Sequence, residues 1–305
     1  MKSAYPAHHF KNRKTMTNSS NLNESHSGYH IRLEPEEKGF DLKLGELWEY
    51  RDLVVLLTKK TFTITYQQTI LGPLWILIQP VISSLIYIFI FGHIADIGTN
   101  GIPQILFYFV SSAVWELLSF SLIANSNTFV SNAYLFSKVY FPRLAVPVSN
   151  MFVSILKFCI QLVIISVLTA VFVINGTVHP LWVWFPLLPL LFAQMSLLGM
   201  SAGILASSLT TKYRDLLMVV NLGVNFLMYA SPVVYPMSSI KPGLLKTLIK
   251  INPATEIIEL IRLIMLGKGE FDLPYYLLGT AITILLFVSS TAVFNRVERT
   301  FQDTV

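Results

Sequence analysis

The sequence predicts an all-α membrane protein in which six transmembrane helices cross the bilayer. Hydrophobic residues make up 53% of the 305-residue chain and charged residues only 13%, whereas soluble domains carry about 25% charged residues. The stretch 72–95 contains no Lys, Arg, Asp or Glu, and similar stretches follow it along the chain. About 20 apolar residues cross the hydrocarbon core, and in lipid such a stretch has to satisfy its own backbone hydrogen bonds as a helix. The bilayer is therefore the solvent for most of this chain.

The first 43 residues are polar and are predicted to form a disordered tail, because they have too little apolar surface to bury. His8 with His9, and His26 with His30, could hold a metal ion, but we interpret them as solvated histidines of a flexible tail. The segment has no hydrophobic h-region, so no secretory signal peptide is expected.

Residues 44–71 are predicted to form an amphipathic interface helix. Apolar and charged residues alternate along this segment, a pattern typical of helices that lie in the plane of the membrane surface. Trp48 and Tyr66 suit the headgroup level.

The region 72–305 is predicted to be one transmembrane domain whose six spans place both termini in the cytoplasm. The predicted spans are roughly 72–95, 104–124, 150–174, 181–207, 216–236 and 273–294. Lys and Arg occur in the connectors 125–149 and 208–215 and after Asn295, whereas the opposite connectors 96–103 and 175–180 have neither. Positively charged connectors remain on the cytoplasmic side. This orientation predicts a multi-pass protein of the cytoplasmic (inner) membrane.

Residues 237–272 break the pattern, because they should be external yet carry several Lys and Arg residues. Asn252 can cap a short helix, and Pro253 suits its first position. A helix of about 13 residues is too short to cross the bilayer, so a re-entrant or surface pair of helices is predicted. Within it Glu259 and Arg262 stand three residues apart and can form an ion pair.

Several motifs that carry chemistry are absent from the sequence. There is no G-x-x-x-x-G-K-[ST], so any ATP that drives transport has to bind another subunit, and no cofactor is expected on this chain. There is also no G-x-S-x-G, H-E-x-x-H or Cys/His cluster, so neither an enzyme nor a metal site is predicted. Cys159 is interpreted as a small buried apolar residue. The net charge of +5 is interpreted as membrane topology, and no nucleic-acid partner is expected.

A few polar and small residues stand out within the predicted spans. Glu116 is an ionisable group at membrane depth, which is either functional or a structural carboxyl that is paired or protonated inside the bundle. Lys157 lies about two turns into the third predicted span and is expected to snorkel to the cytoplasmic surface. Gly199 and Gly203 form a small-xxx-small pair that permits close helix packing.

Aromatic residues are dense near the first, second and fifth predicted spans. Singly, each is best explained as lipid-facing or as part of the aromatic belt. As a set they could line a path for sugars, because the C–H faces of a pyranose pack on aromatic rings. These residues are Trp75, Tyr87, Phe89, Phe91, Tyr108, Phe109, Trp115, Phe226, Tyr229 and Tyr235.

Four short motifs occur in order along this frame: YQQTILGPLW from Tyr66, LFSKVYFPR ending at Arg143, KYRD from Lys212 with SPVVYP after it, and Asn252-Pro253 with Arg262 downstream. Together they resemble the membrane subunit of type-2 ABC exporters, and within them the permeases that export O-antigen, capsular polysaccharide and teichoic acid. The resemblance extends from about residue 44 to 300 and excludes the tail.

The resemblance implies a homodimer that works with two copies of an ABC ATPase subunit, on which ATP and Mg²⁺ bind. The connector around Pro142 is then a coupling helix in a groove of the ATPase, although its charges also satisfy the positive-inside rule. The implied coupling residues are Phe136, Lys138, Tyr140, Phe141, Pro142, Arg143, Lys212, Tyr213, Arg214 and Asp215.

The resemblance also implies a substrate path for a polysaccharide carried on an undecaprenyl-type lipid. The substrate would move from the cytoplasmic leaflet into the dimer interface, with the amphipathic helix steering its lipid-linked end and membrane lipid around it. The implied channel residues are Tyr87, Phe91, Trp115, Glu116, Phe226, Tyr229 and Tyr235. The implied external gate residues are Asn252, Pro253, Glu259 and Arg262.

Three alternatives remain open from the sequence. The same fold could export a drug or a lipid instead of a glycan. An ion-coupled secondary carrier would need several buried charges and broken helices, of which only Glu116 is a hint. A membrane glycosyltransferase would need a cluster of catalytic carboxylates or histidines.

Overall fold

The computed structural model describes residues 44–67, 69–138, 141–211, 213 and 215–302, and this part of the chain is helical without any strand. The predicted tail, residues 1–43, lies outside the described residues. The α-helices are α1 (Leu44–Glu49), α2 (Arg51–Tyr66), α3 (Trp75–Tyr87), α4 (Gln104–Ser126), α5 (Thr128–Ser131), α6 (Ala133–Lys138), α7 (Ala145–Ile174), α8 (Leu188–Thr210), α9 (Leu216–Tyr229), α10 (Leu244–Ile251), α11 (Pro253–Leu266) and α12 (Leu273–Gln302). Short 3₁₀ turns occupy Gly72–Leu74, Trp182–Leu187 and Met237–Ser239, and a π-helical segment covers Ile88–Ile94.

Five helical segments of the described chain are long and apolar enough to cross a membrane. They are Gly72–Ile94, Gln104–Ser126, Ala145–Ile174, Trp182–Thr210 and Leu273–Arg296. They coincide with five of the six predicted spans. The third begins at Ala145 instead of residue 150. Pro147 is compatible with this earlier start, because it lies in the first turn of α7, where a backbone N–H has no intrahelical partner to lose.

The predicted span 216–236 corresponds to α9, which ends at Tyr229 after 14 residues. A helix of this length rises about 21 Å, less than the ~30 Å hydrocarbon core. Pro232 follows closely, and proline disfavours the helical conformation of the residue before it. The number of six spans therefore stays a prediction.

Helix α4 lies at the centre of the bundle and packs against α3, α7, α8, α9 and α11. Its contact with α8 is the closest, because a Cβ atom added to Gly199 or Gly203 would meet the α4 backbone at Leu118 and Leu122. Polar side chains join the same pair of helices: Thr210 Oγ1 donates to the Ser126 carbonyl at 2.6 Å. Small residues and interhelical hydrogen bonds are how membrane helices associate, which confirms the packing interpretation of the glycine pair.

A second apolar core lies apart from the main one and joins α2, α5, α6, α7, α8 and α12. The rings of Phe129 and Phe294 are stacked with their centroids 4.7 Å apart, and Phe129 also contacts Phe136. Val54 of α2 is buried in this core, and Thr58 Oγ1 of the same helix approaches the Ser149 carbonyl of α7 at 3.5 Å. Helix α2 is therefore held along α7, and its position in the membrane interface stays a prediction.

The helices α10 and α11 form the short pair expected between the fifth and sixth predicted spans. Asn252 caps α11 by accepting a hydrogen bond from the Ala254 N–H at 3.1 Å, and Pro253 occupies the first turn. Both features were predicted from the sequence. Helix α11 is buried along almost its whole length, and its location as a re-entrant element stays a prediction.

Candidate transport site

Glu116 lies at the junction of three helices, α3, α4 and α7. Gln161 of α7 donates through Nε2 to Glu116 Oε2 at 2.6 Å and to the Ile76 carbonyl of α3 at 3.1 Å. Gln161 is buried, so this one amide joins the three helices in an apolar surrounding. Gln161 was not among the predicted site residues, although its position four residues after Lys157 places both on one face of α7.

The Lys157 ammonium group lies on the face of α7 that is turned toward Glu116 of α4. Its Nζ atom lies 3.4 Å from the centroid of the Phe120 ring and 5.6 Å from that of Tyr66. Both distances are within the range of cation–π interactions. The Lys157 ammonium group thus lies beside the end of α2, where Tyr66 is found, and its snorkelling to the cytoplasmic surface stays a prediction.

A cavity of about 430 Å³ opens beside these groups, and we call it the α2–α3 cavity. Glu116, Lys157 and Gln161 line its inner part, and the exposed residues Trp75 and Gln79 line its mouth. It combines a carboxylate, an ammonium group, amides and aromatic rings, which is the composition of a site for a polar ligand.

The predicted external gate residues lie together along α11. Arg262 and Glu259 are 1% and 2% exposed and form a buried ion pair. The Glu259 carboxylate also accepts hydrogen bonds from the Met237 N–H at 3.3 Å and the Glu270 N–H at 3.1 Å. The guanidinium carbon of Arg262 lies 4.4 Å from the centroid of the Phe107 ring of α4. This cluster ties α11 to α4 and to the turns on either side.

Further polar contacts hold the ends of the α10–α11 pair. Asn252 Nδ2 donates to Ser231 Oγ at 2.8 Å, which joins the start of α11 to the turn after α9. Glu256 Oε2 accepts from the Asp272 N–H at 3.1 Å. Burial raises the pKa of the Glu256 carboxyl to about 7, while the hydrogen bond from Asp272 and the charge of Lys250 act in the opposite direction.

The predicted coupling residues fall into two groups. Phe136 and Phe141 are buried with their ring centroids 5.8 Å apart, and Pro142 is partly buried. Arg143 is only 7% exposed, and its guanidinium carbon lies 5.4 Å from the Phe136 ring. The segment around Pro142 is therefore anchored in the second core by three of its side chains.

The other coupling residues are at the surface or outside the described part of the chain. Tyr213 and Asp215 are exposed. The side chain of Lys138 and the residues Tyr140, Lys212 and Arg214 lie outside what the structure describes. Of the predicted coupling residues, the structure therefore shows the buried group around Pro142 and two exposed residues, Tyr213 and Asp215.

The predicted channel aromatics do not form one continuous surface in the single chain. Tyr87 packs between Phe91 and Tyr108 with centroids 6.1 Å away, and its hydroxyl lies 3.4 Å from the sulfur of Met228. Trp115 is buried in the core.

Two residues of the same predicted set, on α9, are open to the outside. Phe226 is 65% and Tyr229 is 51% exposed. Tyr235 donates a hydrogen bond to the Tyr229 carbonyl at 3.1 Å, so these two tyrosines lie together at the end of α9.

The chain is similar to known membrane transport proteins over most of its helical region. Residues 52–266 match the family model described as ABC-2 type transporter. The chain is 28% identical over 254 residues to the O-antigen export system permease protein RfbA of Klebsiella pneumoniae, a match that covers 83% of this chain and 94% of that protein. It is 23% identical over 261 residues to the protein of the same name from Myxococcus xanthus, covering 85% and 98% of the two chains. Because the family match takes in more than half of the sequence, the chain belongs to the ABC-2 type transporter family of membrane permease subunits.

Proposed function

We propose that this chain is the permease subunit of an ATP-driven exporter that moves a lipid-linked polysaccharide from the cytoplasm across the inner membrane. The observation that carries the proposal is the similarity to relatives named O-antigen export system permeases, which extends over 94% and 98% of the two described above. A likeness of this extent includes the helical frame, the segment around Pro142 and the α10–α11 pair.

The missing P-loop supports a separate ATPase. A chain without a phosphate-cradling loop has no means of binding ATP in that way, so ATP and Mg²⁺ are held by a partner. We propose two ATPase copies on the cytoplasmic side of a homodimer, with both termini of the permease in the cytoplasm. Exposed apolar side chains lie on α3 (Ile82), on the π-helical segment after it (Phe89) and on α9 (Phe226), and one part of that surface would face the second copy.

The packing around Pro142 supports a coupling role for this segment. Phe136 and Phe141 are anchored in the second core, which also contains Val54 of α2 and Phe294 of α12. Protein interiors are close-packed and transmit displacement, so an ATPase that pushes on the partly exposed Pro142 would move α2 and α12 with it. In this scheme Arg143 holds the segment on Phe136 from inside.

The aromatic residues on α9 support a path for sugars. Phe226 and Tyr229 expose ring faces on which pyranose C–H groups can pack. The external end of the path would be closed by α10 and α11. The contacts of Glu259 with the Met237 and Glu270 N–H groups, and of Arg262 with the Phe107 ring, keep α11 in position.

The first experiment is to co-express the permease with the ATPase encoded beside it, purify both in lipid, and measure ATP hydrolysis with and without the permease. We expect a stable complex whose hydrolysis depends on the permease. A permease that purifies alone and leaves hydrolysis unchanged would contradict the proposal.

A second experiment tests the coupling segment. Pro142→Ala and Arg143→Ala should lower the polysaccharide at the cell surface while the permease remains in the membrane at its normal level. Arg51→Ala serves as a matched control, because Arg51 is an exposed arginine of α2 outside the coupling segment. Export unchanged by both coupling variants would rule out the assignment.

A further inference from the structure

The α2–α3 cavity contains a carboxyl group and an amino group of opposite charge that attract each other without touching. Within the described residues, Lys157 makes no direct ion pair and no hydrogen bond with a protein acceptor, and its ammonium group lies against the rings of Phe120 and Tyr66. Glu116 accepts one hydrogen bond, from Gln161 on Oε2. Its Oε1 atom and the three N–H donors of Lys157 are therefore left for another partner.

Leaving such groups without partners is costly in a membrane. Glu116 and Lys157 are both partly buried, and a charged group withdrawn from water without its full set of hydrogen bonds is disfavoured. A ligand that satisfies both residues has to supply a donor with positive charge for Glu116 and an acceptor with negative charge for Lys157. A neutral polyol can hydrogen-bond to both groups but brings no charge to either, and a singly charged ion brings an opposite charge to only one of them.

The depth of the cavity indicates what kind of ligand reaches it. The first membrane-spanning segment begins at Gly72, and Ile76, whose carbonyl accepts from Gln161, lies in the first turn of α3. The cavity thus extends from the beginning of this span inward to Glu116, which stands near the middle of the span Gln104–Ser126. Its mouth carries Trp75, and Tyr66 also lines it, residue types that concentrate at the headgroup level.

We propose that the α2–α3 cavity binds the headgroup of a zwitterionic phospholipid, with its ammonium group on Glu116 and its phosphate on Lys157. The cavity volume of about 430 Å³ falls within the range of small-ligand pockets. The bound lipid would fill the space between the end of α2 and the start of α3. The proposal depends on the charges and their depth in the membrane, and not on which substrate is exported.

The test uses the full-length permease, purified without its ATPase and exchanged into detergent that contains equal amounts of phosphatidylethanolamine and phosphatidylglycerol with identical acyl chains. Native mass spectrometry then measures which lipid is retained. Both lipids offer a phosphate to Lys157, but only phosphatidylethanolamine offers an ammonium group to Glu116. A charge-assisted hydrogen bond corresponds to a preference of about tenfold for phosphatidylethanolamine.

Substitutions in the cavity test whether the preference for phosphatidylethanolamine arises there. Glu116→Gln should abolish the preference while phosphate lipids are still retained, and Lys157→Gln should lower the retention of both lipids. Lys59→Gln is the matched control, because it removes a charge from the exposed side of α2, and it should behave as the wild type.

Equal retention of the two lipids by the wild-type protein would overturn the proposal, and so would a preference that persists in Glu116→Gln. If a cavity variant fails to fold, the competition between the two lipids for the wild-type protein tests the proposal without the variants. Selective retention of an added polyprenyl phosphate over phosphatidylethanolamine would also overturn it, because the cavity would then be a site for an anionic lipid.

Discussion

Replacing Arg262 by Met should destabilise the protein strongly, because it breaks an ion pair that is shielded from solvent. Arg262 and Glu259 are 1% and 2% exposed. Removing one partner of a buried pair costs about 3–5 kcal/mol, since the other charge stays buried without compensation. Two features make the expected loss of stability smaller. Glu259 keeps the hydrogen bonds from the Met237 and Glu270 N–H groups, and the variant loses Arg262 Nε and NH1, two buried groups without a partner among the described residues.

The expected loss for Arg262→Met is therefore at the low end of the range, about 3 kcal/mol. It can be measured by denaturant unfolding in detergent micelles, followed by tryptophan fluorescence. Lys246→Met is the matched control, because Lys246 pairs with Glu270 at 2.8 Å in a partly exposed position, and such pairs contribute about 0.2–1 kcal/mol. The double variant Glu259→Gln with Arg262→Met should recover part of the loss, since the uncompensated charge is gone. A loss in Arg262→Met no larger than in Lys246→Met would refute the reasoning.

Three further predictions concern other parts of the fold. Gly203→Ala should lower the free energy of unfolding by about 1–3 kcal/mol, because the added methyl group overpacks against α4. Gly223→Ala should raise it by up to about 1 kcal/mol, because the space around its added Cβ is open. Thermal unfolding of both variants in the same detergent compares them. Because burial raises the pKa of Glu256 to about 7 from an ordinary value near 4.5, the folded protein holds this proton more tightly than the unfolded chain. Stability should therefore fall as pH rises from about 4.5 to about 7, and a pH series should show less of this fall in Glu256→Gln. Asn252→Ala should cost about 1–2 kcal/mol through the lost cap of α11, measured by the same unfolding, and a change near zero would show that the cap contributes little.

Local sequence patterns were sufficient for most of the helical frame. Five uncharged or nearly uncharged runs became helices long enough to cross a membrane. The cap at Asn252, the proline at the start of α11 and the ion pair between Glu259 and Arg262 also followed from spacing within a few residues. Each of these features depends on neighbours along the chain, so a periodic or apolar pattern is enough to find it.

The contacts within the candidate site could not be predicted from local sequence patterns. Glu116 stood out in the sequence, but its partner Gln161 is 45 positions away, and only the packing of α4 against α7 brings them together. Arg143 was expected among the ATPase-coupling residues, and that role stays a prediction. The structure turns it inward onto Phe136, a direction that depends on the second core and not on the local motif.

Consecutive residues were enough to identify a helical membrane protein of the ABC-2 type transporter family, because hydrophobic length and short motifs are local properties of the chain. Which polar groups meet inside the bundle follows instead from the packing of the helices. It placed Gln161 and Lys157 beside Glu116, and it let α8 approach α4 at Gly199 and Gly203. Which side chains share a cavity depends on the rotation and depth of each helix against its neighbours, and those are set by packing across the whole bundle.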